Sequence, residues 1–385
     1  MKNLLKTYNF TKFRIIKGNG SYLYDDKNNK YLDFSAGVAV NSLGYNHPII
    51  KKTIQAQLKT GITHLSGSQI HYYKIELARI LSKNSNKGDV FFSNSGAESI
   101  EAALKIARNY GSHFKKDEII AMTSSFHGRT IGALSVGSNK KYKSNIGPIP
   151  GKVKFCQFNN SKDLKKLINK KTLAIIIEFV QGDGGINICN KEFAKTIKEI
   201  CKKRKILLIA DEIQAGIGRT GLIFAYKNYG VSPDIITSAK GLGSGIPIGA
   251  TIIKKYIAQK ISIGFHGSTY GGGMLQTRVA YNIFNIINKK SFLEKVTRNG
   301  NFLSKLLKQL KSNNENTIKE VRSKGLMGAI EFRNKRDALK IYNKIAKGGL
   351  ITTLIQGNTI RITPPLIIEK KDLKKGFDII STNIE

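Results

Sequence analysis

Short apolar runs alternate with longer helical stretches through the middle of the chain. Seven apolar runs are predicted to form strands: 90–92, 118–122, 153–157, 173–179, 206–210, 235–237 and 250–253. Apolar positions recur with a helical period in four other stretches: 100–108, 161–168, 191–203 and 278–287. This alternation predicts an α/β protein whose mostly parallel sheet is covered by helices. In such sheets, ligands bind at the carboxyl ends of the strands.

The two ends of the chain show other patterns. Residues 20–34 are typical of short strands joined by turns, and β-like runs at 328–332 and 359–363 accompany two helical patterns after about residue 291. A length of 385 residues favours about two domains. We therefore predict an N-terminal segment (1–50) that joins a small α+β domain (281–385), and a large domain between them (51–280).

The net charge of +38 raises the alternative of a nucleic-acid-binding protein. Such a protein is expected to concentrate its positive charge on one face or tail. Here the lysines are spread along the chain, and the one dense run, Lys202-Lys-Arg-Lys205, lies between a helical stretch and a strand. A general enrichment in Lys, Asn and Ile explains the charge better, so no nucleic-acid partner is predicted.

One segment departs from this even spread of charge. Residues 206–253 contain only three basic residues, Arg219, Lys227 and Lys240, although 64 Lys and Arg occur among the 385 residues. An unpaired charge is costly to bury, so the depletion indicates a buried or functional segment. Lys240 therefore lies where an ordinary surface position is the weakest explanation.

Apolar run lengths, cysteines and histidines bear on where the protein is located in the cell and on whether it binds a metal. The longest apolar runs are strand-sized, far below the ~20 residues of a membrane span, and the first six residues lack an apolar signal region. The three cysteines form no CxxC, and the six histidines show no metal-binding spacing. We expect a cytoplasmic protein with no membrane association and no metal.

Two charged positions follow predicted strands in the depleted segment. Asp211 and Glu212 end the run 206–210, and Lys240 follows the run 235–237. The spacing suits a strand–helix–strand unit that brings both positions to one edge of the sheet. A strand-end aspartate by itself more often caps the next turn. Together, a desolvated lysine that forms a Schiff base and a carboxylate that holds a pyridine nitrogen indicate a cofactor site.

A candidate phosphate site precedes the stretch 100–108. Ser95-Gly-Ala-Glu98 matches a capping box at a helix start. The small residues Gly96 and Ala97 leave backbone N–H groups open to an anion. Plain helix capping is the more economical explanation from spacing alone. The glycines of 241–245 match neither GxxxxGK[ST] nor GxGxxG.

A third candidate is Ser125-Phe-His-Gly-Arg-Thr130, directly after a predicted strand. The ring of Phe126 is able to stack on a flat cofactor, and Arg129 is able to bind a carboxylate through two parallel hydrogen bonds. Taken one at a time, these residues are ordinary: a core phenylalanine and a surface arginine.

Taken in order, these segments resemble the class III aminotransferases, which use pyridoxal phosphate and have fold type I. The likeness runs from 20–34 through Ile360-Arg-Ile-Thr-Pro-Pro-Leu366. Within the class, the segments 125–130, 266–272 and 357–361 are most similar to the acetylornithine aminotransferases. The resemblance implies a large domain with a mostly parallel sheet between helices, a smaller α+β domain and a homodimer with shared active sites.

The resemblance also implies residue roles. Lys240 would form the Schiff base with the cofactor and shuttle the proton, and Asp211 would pair with the pyridine nitrogen. Thr269 would complete the phosphate site of the partner subunit, and Arg129 and Arg361 would hold the carboxylates of the amino acid and of 2-oxoglutarate. The remaining cofactor-binding positions would be Gly96, Ala97, Phe126, Glu212, Ile213 and Gln214, and Ser268 would contact the substrate.

Three positions depart from the usual pattern of these enzymes. Phe179 stands where proline is common, Gly273 where asparagine is common, and Asp183 where glutamate is common. The glutamate is thought to pair with the second substrate arginine, here Arg361. An aspartate is one methylene shorter, which puts the switching of Arg361 between substrates in question.

The implied reaction moves the δ-amino group of N2-acetylornithine to 2-oxoglutarate by a ping-pong mechanism, as in arginine biosynthesis. Alternative donors within the class are ornithine, succinylornithine, succinyldiaminopimelate and 4-aminobutyrate. An aminomutase of the same fold is a further alternative. The presence of both Arg129 and Arg361 disfavours it, because an aminomutase needs no second dicarboxylate partner.

Overall fold

The structure is a computed structural model that describes residues 3–8 and 13–384. In the described ranges the strands are β1 (Ile15–Asn19), β2 (Tyr22–Asp25), β3 (Lys30–Asp33), β4 (Asp89–Ser93), β5 (Glu118–Met122), β6 (Lys152–Cys156), β7 (Thr172–Ile177), β8 (Val180–Gln181), β9 (Asn187–Ile188), β10 (Leu207–Asp211), β11 (Ile235–Ser238), β12 (Gly249–Ile253), β13 (Ile318–Lys324), β14 (Met327–Phe332), β15 (Leu350–Ile351), β16 (Thr353–Ile355) and β17 (Thr359–Ile362). The helices are α1 (Ala36–Ala39), α2 (Pro48–Leu58), α3 (Tyr72–Lys83), α4 (Gly96–Ser112), α5 (Ile131–Val136), α6 (Ser161–Leu167), α7 (Lys191–Arg204), α8 (Lys255–Ala258), α9 (Met274–Ile287), α10 (Lys290–Ser312), α11 (Lys335–Lys347) and α12 (Lys370–Ile384). Short 3-10 helices lie at Lys140–Tyr142, Ala225–Tyr229 and Lys240–Leu242.

The central sheet has seven strands in the order β4-β12-β11-β10-β7-β5-β6. β12 runs antiparallel to both of its neighbours, and the pairs from β11 to β6 are parallel. Every residue of β7, β10, β11 and β12 is buried. Burial on both faces explains why these strands are continuous apolar runs without alternation. The predicted α/β class and all seven predicted strands are confirmed.

Three of the four helical stretches predicted from periodicity lie inside α4, α7 and α9, and the fourth, 161–168, extends one residue beyond α6. The predicted capping box at α4 is confirmed in one half only. Ser95 Oγ accepts a hydrogen bond from Glu98 N (3.2 Å). The Glu98 carboxylate accepts instead from Asn94 N (2.8 Å), one residue before the cap. The first turn of α4 is therefore fixed from two positions, while its leading N–H groups remain free of intrahelical acceptors.

The connection between β10 and β11 differs from the prediction. It contains the 3-10 helix Ala225–Tyr229 and no α-helix, so the expected strand–helix–strand unit was wrong. The buried carboxylate of Glu212 accepts from the backbone N–H groups of Ala225 and Tyr226 and fixes this turn. The strands are nevertheless parallel neighbours with Asp211 opposite Thr237. The expectation that both strand ends meet at one edge is confirmed.

Besides the central sheet there are two four-stranded sheets, in the orders β1-β2-β3-β15 and β13-β14-β17-β16, and a two-stranded sheet of β8 and β9. β3 pairs in parallel with β15, which joins the N-terminal segment to the C-terminal region. Three helices, α10, α11 and α12, follow residue 289, where two were predicted. The domain boundaries at 50 and 280 remain a prediction, and residues 1, 2, 9–12 and 385 lie outside the described part of the chain.

Across the described helices, none combines the length and the apolar character needed to cross a membrane. No group of three or more His, Cys, Asp or Glu residues within 3–8 and 13–384 is arranged to hold a metal ion. The cysteines of the chain are free thiols at positions 156, 189 and 201.

Candidate active site

A pocket of about 420 Å³ lies at the carboxyl ends of the central strands. It has the size of a typical small-molecule site. Eight of the residues singled out from the sequence line it: Gly96, Ala97, Phe126, Arg129, Asp211, Ile213, Gln214 and Lys240. They come from segments that are up to 144 positions apart in the chain, and the sheet brings them to one edge.

Lys240 begins a 3-10 turn directly after β11, with its side chain at the floor of the pocket. Its φ of +44° lies in the left-handed region, which is unusual for a residue with a side chain. Burial is the largest influence on its ammonium group and lowers its pKa, against Asp183 and Asp211, whose charges raise it. A left-handed backbone conformation and a pKa lowered by burial are typical of a reactive lysine.

Asp211 lies at the end of β10 and is almost completely buried. Its Oδ2 is 2.6 Å from Nδ1 of His127, and its Oδ1 accepts from the Ile213 backbone N–H (3.0 Å). Burial acts to lower the pKa of His127, but the hydrogen bond and the charge of Asp211 outweigh it and raise that pKa. The Nε2 of His127 is buried without a partner in the described structure. The pair is therefore a buried carboxylate with an imidazolium-type donor behind it.

Glu178 lies just after β7 and also lines the pocket. Its carboxylate accepts from the backbone N–H groups of Phe126 and Gly182, both at 3.0 Å. Burial raises the pKa of this carboxyl to about 7. His127 and Glu178 were not among the site residues predicted from the sequence. His127 follows the predicted strand 118–122, and Glu178 lies near the carboxyl end of the predicted strand 173–179; this position was the available signal.

The N-terminus of α4 faces the pocket through Gly96 and Ala97. A Cβ atom at Gly96 would lie 2.9 Å from the side chain of Ile213, so only glycine fits there without displacement. Gly128 packs on the same turn, where a Cβ would come within 3.0 Å of Ala97. The small residues thus keep open the backbone N–H groups that suit an anion.

Arg129 lies at the mouth of the pocket without an acidic partner among the described residues. Its guanidinium is 3.5 Å from the ring centroid of Tyr142 and 5.6 Å from that of Phe126. Stacking occupies the faces of the guanidinium and leaves its N–H edges free. The arrangement is suited to binding a carboxylate.

The second arginine, Arg361 on β17, is buried and paired. Its Nη1 lies 2.5 Å from Asp183 Oδ1 and 3.4 Å from Gln214 Oε1. The shorter aspartate therefore reaches the arginine. Nε of Arg361 is buried without a partner in the described structure. Arg361 is screened by Asp183, whereas Arg129 is open.

Five predicted residues do not line this pocket: Asp183 and Arg361, which pair with each other beside Gln214, and Glu212, Ser268 and Thr269. The side chain of Glu212 caps the 3-10 turn at 225–229 and is buried away from the site. Ser268 and Thr269 line a separate depression of about 340 Å³ together with Glu98 and Glu101. Within one chain, then, Glu212 is structural, and Ser268 and Thr269 lie beside the pocket.

The buried Glu212 predicts a pH-dependent stability. Burial raises the pKa of its carboxyl to about 8, above the ordinary value of 4.5. The folded state therefore holds a proton that the unfolded state releases, and stability is lost as the pH rises from about 4.5 to about 8. Glu212→Gln removes this titration. We expect the stability of wild type relative to Glu212→Gln to fall by on the order of 3 kcal/mol between pH 5 and pH 8.

Denaturant unfolding of both proteins at the two pH values measures this difference. Glu320→Gln, on an exposed carboxylate, is the matched control and is expected to show no such trend. A constant difference between wild type and Glu212→Gln across this pH range would contradict the prediction.

Comparison with known proteins finds a family and relatives that match almost the whole chain. The family model "Aminotransferase class-III" matches residues 6–384. An acetylornithine aminotransferase from Caldanaerobacter subterraneus subsp. tengcongensis is 40% identical over 382 residues, covering 98% of this chain and 96% of the relative. An acetylornithine/succinyldiaminopimelate aminotransferase from Buchnera aphidicola subsp. Acyrthosiphon pisum is 41% identical over 383 residues, covering 98% and 93%.

Solved structures of transaminases also match this chain over almost its full length. The ornithine aminotransferase from Toxoplasma gondii matches with a TM-score of 0.94 at 27% identity, covering 99% of this chain and 92% of that chain. An amine transaminase from an uncultivated Pseudomonas species, in its PLP-bound form, matches with a TM-score of 0.91 at 26% identity, covering 100% and 98%.

Proposed function

Because this chain belongs to the class III aminotransferases, we propose that it transfers the δ-amino group of an N2-acylated ornithine, N2-acetylornithine first of all, to 2-oxoglutarate. The proposal is supported by relatives named acetylornithine aminotransferase that are about 40% identical over almost the full length. The observation that carries it at the site is the pair of arginines: Arg129 is open and Arg361 is screened by Asp183. An enzyme that alternates between a donor with one carboxylate and an acceptor with two needs such a difference.

The residues present fit pyridoxal phosphate. Phe126 and Ile213 line the pocket as apolar walls for a flat ring. Asp211 is buried and, among the described residues, has no Lys or Arg partner, so a protonated pyridine nitrogen is a suitable counter-charge. The open N–H groups of Gly96 and Ala97 suit a phosphate. When bound, this cofactor supplies an aldehyde carbon that condenses with amines and a ring that withdraws electrons.

Lys240 is assigned both the covalent attachment and the proton transfer. Burial lowers the pKa of its amine, which favours the nucleophilic neutral form. Lys240 lines the pocket on a short 3-10 turn, from which Nζ would take up and return a proton at the substrate when the cofactor is bound.

Asp211 is assigned the pyridine nitrogen. Two donors, His127 Nδ1 and the Ile213 N–H, fix the orientation of its carboxylate. A carboxylate in this position would hold the ring nitrogen protonated when the cofactor is bound, which would strengthen electron withdrawal. Gln214 is assigned the phenolic oxygen of the ring, which its position in the pocket wall allows.

The arginines are assigned to the substrates. Arg129 would bind the single carboxylate of the donor, which lies at the opposite end from the reacting δ-amino group, using its free N–H edges. Arg361 would bind the additional carboxylate of 2-oxoglutarate after Asp183 moves aside. With a donor that lacks this carboxylate, the ion pair stays closed and no buried charge is left unpaired.

Ser268 and Thr269 are assigned to the neighbouring subunit's site. They lie beside the pocket but do not line it, although Asn94 lines both cavities and donates to Ser268 Oγ (3.2 Å). Placement at the rim suits residues that complete the phosphate site of a second copy. We therefore propose a homodimer whose two active sites are shared.

The decisive experiment is a panel of amino donors assayed with and without 2-oxoglutarate. We expect N2-acetylornithine to have the highest kcat/KM, and at least about tenfold more than ornithine or 4-aminobutyrate, because an uncompensated polar or charged group costs 1.4 kcal/mol or more in a fitted site. N-succinylated donors test the dual specificity named for the Buchnera relative. Catalytic product formation in the absence of any oxo acid would overturn the transaminase proposal and favour an aminomutase.

A further inference from the structure

The loop that carries Asp183 is held at four consecutive backbone positions by four different side chains. Glu178 accepts from Gly182 N (3.0 Å), and Asn187 donates to Gly184 O (2.9 Å). Arg322 donates to Gly185 O (2.8 Å). Gln356 donates to Asp183 O (2.8 Å), so it is the tether at the aspartate itself.

Gln356 and Arg361 belong to one hairpin, formed by β16 and β17. The strand residue Arg361 binds the carboxylate of Asp183, and Gln356 at the hairpin tip binds its backbone carbonyl. The hairpin therefore holds Asp183 at two points, its carboxylate and its backbone carbonyl. Because the tip is only three residues long between Ile355 and Thr359, the two points are held at a fixed separation.

The backbone of Gln356 supports a role for its side chain. Its φ is +53°, and Gly357 follows with a φ of +78°. Two consecutive positive φ values favour Asn, Asp or Gly at the first position, and glutamine is unusual there. Turn geometry therefore does not account for glutamine, whereas the hydrogen bond to Asp183 O does.

We propose that Gln356 is a positioning residue that holds Asp183 against Arg361 through the Asp183 carbonyl, and so sets how readily Arg361 is released for a dicarboxylate. The inference rests on the proposed function, in which Arg361 binds the second carboxylate of the acceptor. An aspartate side chain has little reach, so its backbone has to lie close to the guanidinium. Gln356 keeps it there, and the carboxylate opens and closes by side-chain rotation on a fixed backbone.

The test uses glutarate, a five-carbon dicarboxylate without a reacting group, and pentanoate, its monocarboxylate counterpart. The dissociation constants of both are measured by calorimetry on the cofactor-saturated protein, so that no turnover is required. The variant is Gln356→Met, which keeps the chain length and removes the donor. Asn358→Ala is the matched control, since Asn358 lies in the same hairpin tip and its side chain bonds Phe332 O instead of Asp183.

We expect Gln356→Met to bind glutarate about two- to tenfold more tightly than wild type does. This factor corresponds to the loss of the one hydrogen bond that holds Asp183, whose carboxylate competes with glutarate for Arg361. Pentanoate binding and the Asn358→Ala constants stay at the wild-type values. Adding Asp183→Glu to Gln356→Met restores the wild-type constant for glutarate, because the longer side chain reaches Arg361 without the tether.

Three results would overturn the proposal: an unchanged glutarate constant in Gln356→Met, an equal change for glutarate and pentanoate, or no restoration by Asp183→Glu. If any of these results is obtained while wild type transaminates 2-oxoglutarate, the proposed role of Gln356 is refuted and the proposed function stands. If wild type binds no glutarate and does not use 2-oxoglutarate, the proposed function and this inference fail together.

Discussion

Lys240→Ala should lower kcat by at least about 10⁴-fold, because acid–base catalysis alone contributes 10²–10⁴ and the same residue also provides covalent attachment. The reason is positional as well as chemical: Lys240 lines the pocket on a turn with a left-handed φ, and burial lowers the pKa of its amine. Borohydride reduction of the wild-type holoprotein should fix the cofactor on the peptide that contains Lys240, and the variant should show no fixed cofactor. Mass spectrometry of the digested protein measures this directly.

The matched control is Lys227→Ala. Lys227 is the other lysine of the depleted segment 206–253, is exposed, and lies on the 3-10 helix Ala225–Tyr229 outside the pocket. It should keep wild-type labelling and turnover. Transamination by Lys240→Ala at the wild-type rate, or labelling that remains on another lysine, would refute the assignment of Lys240.

Asp211→Asn should lower kcat/KM by about 10²–10³-fold, the usual cost of removing one preorganised electrostatic partner. The amide keeps the shape of the carboxylate but not the charge that holds the ring nitrogen protonated. A second readout follows from His127. Without the negative charge, burial becomes the dominant influence and the pKa of His127 should fall below its ordinary value of 6.5. NMR of the imidazole during a pH titration detects this change.

Asp234→Asn is the control for this second variant. Asp234 precedes β11 and accepts from Leu208 N (2.9 Å), so it contacts the same strand, β10, as Asp211 but at the opposite end. Its loss should reduce stability through the broken pair with Lys254 while leaving kcat/KM near wild type. Equal losses of activity in the two variants would mean that Asp211 acts through general stability and not through the cofactor.

Much of the fold could be predicted from the sequence, because strands that are buried on both faces of a sheet are continuous apolar runs. All seven central strands were predicted within one to two residues at most of their ends. The connection after β10 was misjudged for a specific reason. Its turn is fixed by Glu212, whose buried carboxylate bonds Ala225 N and Tyr226 N, and a long-range cap of this kind leaves no periodic signal.

At the site, the sequence singled out residues that follow strands or open a helix, and it treated Asp211 and Glu212 alike. The two neighbours of this strand-end pair point in different directions: Asp211 lines the pocket and the Glu212 side chain caps the turn at 225–229. No role for His127 was predicted, because its partner, Asp211, lies 84 positions away in the chain.

The sequence by itself determined the α/β architecture, the family and the unusual position of Lys240, because apolar periodicity, ordered motifs and charge depletion are local properties of the chain. Charge depletion alone applies equally to Lys240 and to Arg219, a buried cation of the same segment. Only the tertiary structure shows that the Arg219 guanidinium donates hydrogen bonds to the carbonyl groups of Leu326 and Pro364, whereas Lys240 lines a pocket. Likewise, the reach of Asp183 to Arg361 depends on a hairpin from the other end of the chain, and contacts between distant segments exist only after folding.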